Sequence, residues 1–159
     1  MEQENLSKWL KCILIGVGIC GVIVYAAVIP MYGLHLRTLY PEFSNRLWPW
    51  LIFLWTSGIP CFIVLVFGWK IVTNIGKDQS FSEQNAKLLK WISNLSAADA
   101  GFFFIGNILL LLLNMSHPGV VIASFVIVFF GVAVAVASAV LSHLAKKASA
   151  LQEQSDWTI

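Results

Sequence analysis

The sequence predicts an all-α integral membrane protein: a four-helix bundle with both termini in the cytoplasm and the third helix extended into it. Three observations lead to this fold class, namely the composition, four long apolar runs and the short segments between them. Of the 159 residues, 58% are hydrophobic and 11% charged, whereas soluble domains are about 45–50% apolar and about 25% charged. This composition excludes an ordinary water-soluble globule and a disordered chain.

Four segments are long enough to cross a bilayer, which requires about 20 mostly apolar residues. They cover residues 12–34, 47–69, 91–115 and 119–142. The first run exceeds the apolar core of a signal peptide, so we expect it to remain as a helix. Too few residues lie outside the four runs for a second domain, and residues 1–159 are therefore predicted to form a single four-span domain.

The charged flanks of the four runs predict the orientation in the cell membrane. Eight Lys and Arg residues fall in residues 1–11, 70–90 and 143–159, against two in the connections 35–46 and 116–118. Positively charged flanks stay on the cytoplasmic side of a membrane. Both termini and the long central connection are therefore predicted to be cytoplasmic.

The segment before the third span predicts an early helix start. Ser80, followed three residues later by Glu83, fits a capping box, from which one helix is expected to run to Met115. Glu83 and Lys87 are spaced as an i,i+4 ion pair. The projecting part either lies on the membrane surface or the bundle, or it docks a cytoplasmic partner. The tail is expected to prolong the fourth helix.

Asp99 is the only charged residue within the four runs and the centre of a candidate intramembrane polar site with Thr56 and Ser57. An acid at a helix centre costs about 2.5–3.5 kcal/mol on insertion scales, so Asp99 is expected to face protein or water. Pro60 deprives the Thr56 carbonyl of its helical donor. Three interpretations stay open: a structural, hydrogen-bonded acid, an acid that senses protons or a ligand, and a residue of a transport pathway.

The sequence predicts no catalytic site, no metal site and no cofactor. Cys12, Cys20 and Cys61 lie in apolar runs without a CxxC pair, and the histidines lack the spacing of a helical zinc site. No nucleophile has a base and an orienting acid at a matching depth. The chain is therefore expected not to be an enzyme, and its net charge of +2 does not indicate direct binding of nucleic acid.

Small residues form a ridge on the fourth span at Gly131, Ala135 and Ala139. Such ridges let helices approach closely in lipid. We interpret the ridge as a packing surface within the bundle, and a seam between copies of a homo-oligomer is the alternative.

Two polar motifs resemble a bacterial four-span membrane family, domain of unknown function 2975. Residues 79–85, Gln-Ser-Phe-Ser-Glu-Gln-Asn, resemble its Pro-Phe-Ser-x-Glu-Asn element before the third span. Residues 148–159 resemble its terminal element, Ala-x-x-Leu-x-Glu-Asn-Asp-Leu-Thr-Ile. The departures are Ser80 in place of Pro, Gln84 in the x-to-Glu region of the first motif, and Ser155 and Trp157 in the tail.

The resemblance implies a protein without an assigned activity whose gene often lies beside that of a small helix-turn-helix regulator. It favours a non-enzymatic membrane partner or modulator of this cytoplasmic regulator, in contact with the lipid bilayer. The predicted partner surface consists of Phe81, Glu83, Asn85, Glu153, Asp156 and Trp157. In a second interpretation, Phe81 packs under the bundle and the tail covers it. The alternative function is a small transporter, or a proton- or ligand-responsive membrane protein that uses Asp99.

Overall fold

The computed structural model describes residues 2–39, 41 and 46–156, which contain helices and turns and no strand. The helices are α1 (Glu2–Ile23), α2 (Ile29–Leu39), α3 (Leu47–Ile75), α4 (Glu83–Leu112) and α5 (Pro118–Asp156). A π-helical segment, Val24–Val28, joins α1 to α2, and together they form one continuous first helix. Within the described residues, four helices are long and apolar enough to cross a membrane, as the four apolar runs predict.

The helices are longer than the apolar runs, and most of the excess lies at one end of the molecule. We call this the loop end, because it carries the connection from Gly76 to Ser82, and we call the opposite end, with Leu113–His117, the turn end. At the loop end α4 begins at Glu83, close to the predicted start, and α5 continues through the tail to Asp156, as predicted.

At the turn end α4 stops at Leu112, before the predicted end at Met115. The reason is a left-handed residue, Asn114, with φ 53°. Its backbone N–H bonds to the Leu111 carbonyl at 2.9 Å, and the Met115 N–H returns to the Leu110 carbonyl at 2.8 Å. This pair of bonds satisfies the last carbonyl groups of a helix and ends it.

The cap of α4 also differs from the prediction, because Ser82 and not Ser80 caps the helix. Ser82 has extended backbone angles, and its hydroxyl accepts a hydrogen bond from the Asn85 N–H at 3.2 Å. Its own carbonyl accepts from the Ala86 N–H. Ser80 lies before this cap and contributes a carbonyl oxygen to the connection instead.

The helices form an open row and not the closed bundle that the sequence predicts. Among the described residues, Cα atoms closer than 8 Å join the first helix to α3, α3 to α4 and α4 to α5, and the first helix touches neither α4 nor α5. Lipid tails are as apolar as leucine, so no hydrophobic force closes a bundle within a membrane. Large apolar side chains cover the outside of the row and contact lipid.

The most extensive contact is the antiparallel seam between α4 and α5. A Cβ added at Gly131 would lie 3.1 Å from the Cβ of Ala100, so the absence of a side chain allows this close approach. Ala135 and Ser138 are buried in the same seam, whereas Ala139 is exposed. Two residues of the predicted ridge, Gly131 and Ala135, therefore pack within the chain. The third contact is made by Ser138 and not by the predicted Ala139.

Larger side chains fill the contact between α3 and α4. The Phe53 ring stacks on Phe103 with 5.4 Å between the centroids and lies at the same distance from Phe102. It also presses against Gly106, where a side chain would overlap the ring. At the turn end, Trp50 Nε1 donates to the Met115 carbonyl at 3.0 Å and joins α3 to the turn that follows α4.

At the loop end α5 overhangs the start of α4. The Ser142 hydroxyl donates to the Ala86 carbonyl over 2.6 Å, which fixes the register of the two helices. α4 begins at Glu83, whereas α5 continues from Ser142 to Asp156. At 1.5 Å per residue, about 16 Å of α5 extends beyond the first residue of α4.

Candidate functional site

Asp99 lies where α4 meets α3, beside two polar side chains of α3. Its Oδ2 accepts a hydrogen bond from the Cys61 thiol at 3.8 Å, and the buried Ser57 hydroxyl lies nearby. Ser57 is 5% exposed and Asp99 is half-buried. Of the two predicted neighbours of Asp99, the structure brings Ser57 to the carboxylate.

Thr56, which the sequence predicts to share this site, faces another direction. Its side chain is exposed, and its hydroxyl donates to the Ile52 carbonyl of the preceding turn at 2.7 Å. Successive residues of a helix point in directions about 100° apart, so Thr56 and Ser57 do not face α4 together. The site therefore contains Ser57 and Cys61 from α3 and excludes the Thr56 hydroxyl.

Tyr25 joins the site from the first helix, and sequence reasoning missed it. Its hydroxyl lies near the side chains of Ser57 and Cys61. Tyr25 lies in the π-helical segment, and its carbonyl accepts from Trp55 Nε1 at 3.0 Å. We name Tyr25, Ser57, Cys61 and Asp99 the polar cluster. A lone tyrosine in an apolar run gives no sequence signal for such a role.

Gly58 allows the Tyr25 ring to reach the polar cluster. A Cβ at position 58 would lie 2.8 Å from Cε1 of Tyr25. Real Cβ atoms do not approach a ring so closely, and any larger residue would displace the ring. The sequence Gly58-Ile59-Pro60 thus lets the first helix pack against α3 at the depth of the polar cluster.

The polar cluster has the groups to hold a proton but lacks the ligand set of a metal centre. Cys20, which lies at a similar predicted depth to Cys61, is exposed like Cys61 but has no hydrogen bond to Asp99 among the described residues. Across residues 2–39, 41 and 46–156, no group of three or more His, Cys, Asp or Glu side chains is placed to hold a metal ion. The polar cluster therefore consists of two acidic groups, the Asp99 carboxyl and the Cys61 thiol, with the hydroxyls of Tyr25 and Ser57 beside them.

A second candidate site, the loop-end surface, consists of Phe81, Glu83, Leu151 and Glu153. Phe81 is 61% exposed and Leu151 is 58% exposed, although both are large and apolar. Glu83 forms the predicted ion pair with Lys87 at 3.0 Å, and both side chains are open to solvent. Leu151 and Glu153 lie on the overhang of α5.

An open groove runs between the start of α4 and the overhang of α5. It is lined by Glu83, Lys146, Ser149, Ala150, Gln152 and Glu153. Two of the predicted surface residues, Glu83 and Glu153, therefore stand on the two helices that border one groove. Lys146 adds a positive charge close enough to act on the Glu83 carboxylate.

Asn85, which the sequence assigns to the partner surface, is an interior residue. Its side chain is 1% exposed, and its Oδ1 accepts from Asn74 Nδ2 at 2.7 Å. Its Nδ2 donates to the carbonyls of Gln79 and Ser80 at 3.0 and 3.1 Å. These bonds occupy the whole amide, because Asn85 at the first turn of α4 points back into the connection. It organises the connection and is not available to a partner.

The remaining two residues of the predicted partner surface are at the end of the tail. The backbone of α5 continues to Asp156, whose side chain is not described, and Trp157 lies outside the described residues. Their part in the surface therefore stays a prediction.

The family model described as "Protein of unknown function (DUF2975)" matches residues 32–159. Over 160 residues the chain is 26% identical to the "Uncharacterized membrane protein YoaS" of Bacillus subtilis (strain 168), and the match covers 99% of each chain. No solved structure matches the chain. The matched region contains both motifs that indicate the family, at residues 79–85 and 148–159.

Proposed function

The chain belongs to the DUF2975 family and is an integral membrane protein, and from this premise we propose that it is a non-enzymatic membrane partner or modulator of a cytoplasmic helix-turn-helix regulator. The observation that carries the proposal is the loop-end surface, where exposed apolar side chains stand beside a charged groove. The family resemblance supplies the class of partner.

The proposal requires the loop end to be cytoplasmic and the protein to lie in the cell membrane with both termini inside. The supporting observation is the distribution of charge, since eight Lys and Arg residues flank the loop end and two flank the turn end. In this orientation the beginning of α4 and the overhang of α5 both extend into the cytoplasm, as parts of one four-span domain.

Phe81 and the overhang provide the anchors that a protein partner would use. Aromatic side chains that become buried carry much of the binding free energy of an interface. Leu144 and Leu151 are seven residues apart on α5, so they share a helix face, and both are exposed. Such a stripe fits the binding of an amphipathic helix into a partner's groove.

The exposure of Phe81 supports docking over the interpretation in which Phe81 packs under the helices. A side chain that served as an internal clasp would be covered by the tail or by the row of helices. Phe81 instead leaves 61% of its surface open in the described structure. The ring is therefore free to contact a partner, as docking requires.

Co-purification tests this function. The full-length membrane protein is used to recover the helix-turn-helix protein encoded next to it, with and without that protein's DNA. We expect the double variant Phe81→Ala/Leu151→Ala to lower recovery by about tenfold or more, since each anchor contributes more than about 1 kcal/mol. The control is Phe129→Ala, which removes an equally exposed ring within an apolar span. If the wild-type protein recovers no regulator under either condition, the proposal is wrong.

A further inference from the structure

We propose that the polar cluster is an intramembrane proton-binding site in which Asp99 accepts the proton. This inference goes beyond the proposed function, which depends on the loop end. It rests on the surroundings of the two carboxylate oxygens and on the donors that the first helix and α3 place near them.

The Asp99 carboxylate lacks the partners that an ionised acid within a membrane needs. Oδ1 is buried and has no hydrogen-bond partner among the described residues. Oδ2 accepts from the Cys61 thiol at 3.8 Å, and a thiol is a weak donor. No ion pair in residues 2–39, 41 and 46–156 reaches Asp99. A proton on the carboxyl group removes the unpaired charge and occupies the unpartnered oxygen.

The same cluster also contains donors for the ionised form, so the site can release its proton. The Ser57 hydroxyl and the Cys61 thiol neighbour the carboxylate, and the Tyr25 hydroxyl neighbours both of them. The donors are weak, so they permit the ionised form without trapping it, and the proton can exchange.

The groups that face Asp99 are confined to the helices on one side of α4. Tyr25 from the first helix and Cys61 from α3 are the titratable neighbours. On the other side α5 presents the seam of small residues, which contains Gly131, Ala135 and Ser138 and no titratable side chain. A change in protonation therefore acts on the contact between α3 and α4 and, through Tyr25, on the contact between α3 and the first helix.

Infrared spectroscopy of the full-length protein tests the proposal, because a protonated carboxyl group has its own carbonyl band. Dodecyl maltoside micelles are suitable, since this detergent has no carbonyl group. We expect a band at neutral pH that shifts in heavy water and disappears reversibly at alkaline pH. Asp99→Asn should remove the band, whereas Asp78→Asn, which changes an acid in the connection at the loop end, should retain it.

Two further variants keep the test valid if Asp99→Asn does not fold. Ser57→Ala and Cys61→Ala each remove a neighbour of the carboxyl group and should shift the frequency of the band, whereas Cys20→Ala should not. A wild-type spectrum without the band at neutral pH would show an ionised Asp99 and overturn the proposal. Loss of the band on addition of sodium at constant pH would show a cation site and would also overturn it.

Discussion

The side-chain amide of Asn74 donates to the side-chain oxygen of Asn85 over 2.7 Å, and both side chains are buried at the loop end. Neighbouring helices are joined there by further bonds of this kind, from Ser7 to the Val72 carbonyl and from Ser142 to the Ala86 carbonyl. Because the row of helices is open, these polar contacts hold each helix to the next where the loop-end surface is built.

Asn85→Ala should destabilise the protein strongly for a single substitution. The change leaves the buried Asn74 amide and the carbonyls of Gln79 and Ser80 without their partner. An unsatisfied buried group costs about 1–3 kcal/mol, and we expect a loss in that range in the free energy of unfolding. Unfolding by SDS in mixed micelles measures it. Asn94→Ala, an exposed site on the same helix, is the control, and an equal loss there would contradict the interpretation.

Gly131→Leu should weaken the seam between α4 and α5. The new side chain would meet Ala100, whose Cβ would lie 3.1 Å from the first added atom. Overpacking of this kind costs about 1–3 kcal/mol. Gly101→Leu is a matched control, because nothing lies within 4 Å of a Cβ at that position. Thermal unfolding of both variants in detergent checks the prediction, which fails if the two lose stability equally.

Glu83→Gln should leave the stability of the fold almost unchanged. The ion pair of Glu83 with Lys87 is 3.0 Å long, but both side chains are largely exposed. Exposed i,i+4 pairs contribute about 0.3–0.5 kcal/mol. A loss of stability above about 1 kcal/mol, measured by the same unfolding assay, would show that Glu83 has a larger structural role than the described contacts give it.

The bilayer explains why the sequence predicts the helices well and their arrangement poorly. Every backbone group in lipid must be paired within its own segment, so an apolar run such as residues 47–69 has to be helical. The arrangement depends on contacts between distant segments. Asn85 and Asn94 both lie in α4, yet Asn85 is buried and Asn94 is exposed. The difference arises because the connection before α4 folds over Asn85, and the sequence pattern does not predict that contact.

The candidate sites show the same limit. The charge of Asp99 within an apolar run is visible in the sequence, but the position of Tyr25 depends on the π-helical segment and on the missing side chain at Gly58. Thr56 and Ser57 both carry a hydroxyl group, so the sequence does not distinguish them. The rotation of α3 about its axis determines that Ser57 and not Thr56 faces α4. For Phe81 the sequence leaves two interpretations open, a partner surface and packing under the bundle, and the 61% exposure of its side chain favours the first.

Cysteine labelling should place the loop end in the cytoplasm. In a background that lacks Cys12, Cys20 and Cys61, a membrane-impermeant thiol reagent applied to intact cells should not modify the variant Ser80→Cys. Permeabilised cells should allow modification, and Ser116→Cys at the turn end is the comparison for the outside. Labelling of residue 80 from outside would reverse the orientation that the Lys and Arg distribution supports.

Binding of the regulator to the overhang of α5 is the most direct measurement of the proposed function. The full-length protein and a truncation after Lys147 are embedded in lipid nanodiscs, and the helix-turn-helix protein is titrated against each, with and without its DNA. We expect saturable binding to the full-length protein and a loss of about tenfold or more on truncation, because the truncation removes Leu151 and part of the groove. Unfolding assays confirm that the truncated protein keeps its helices. Equal affinity for both forms, or no binding to either, would contradict a partner site at the loop end.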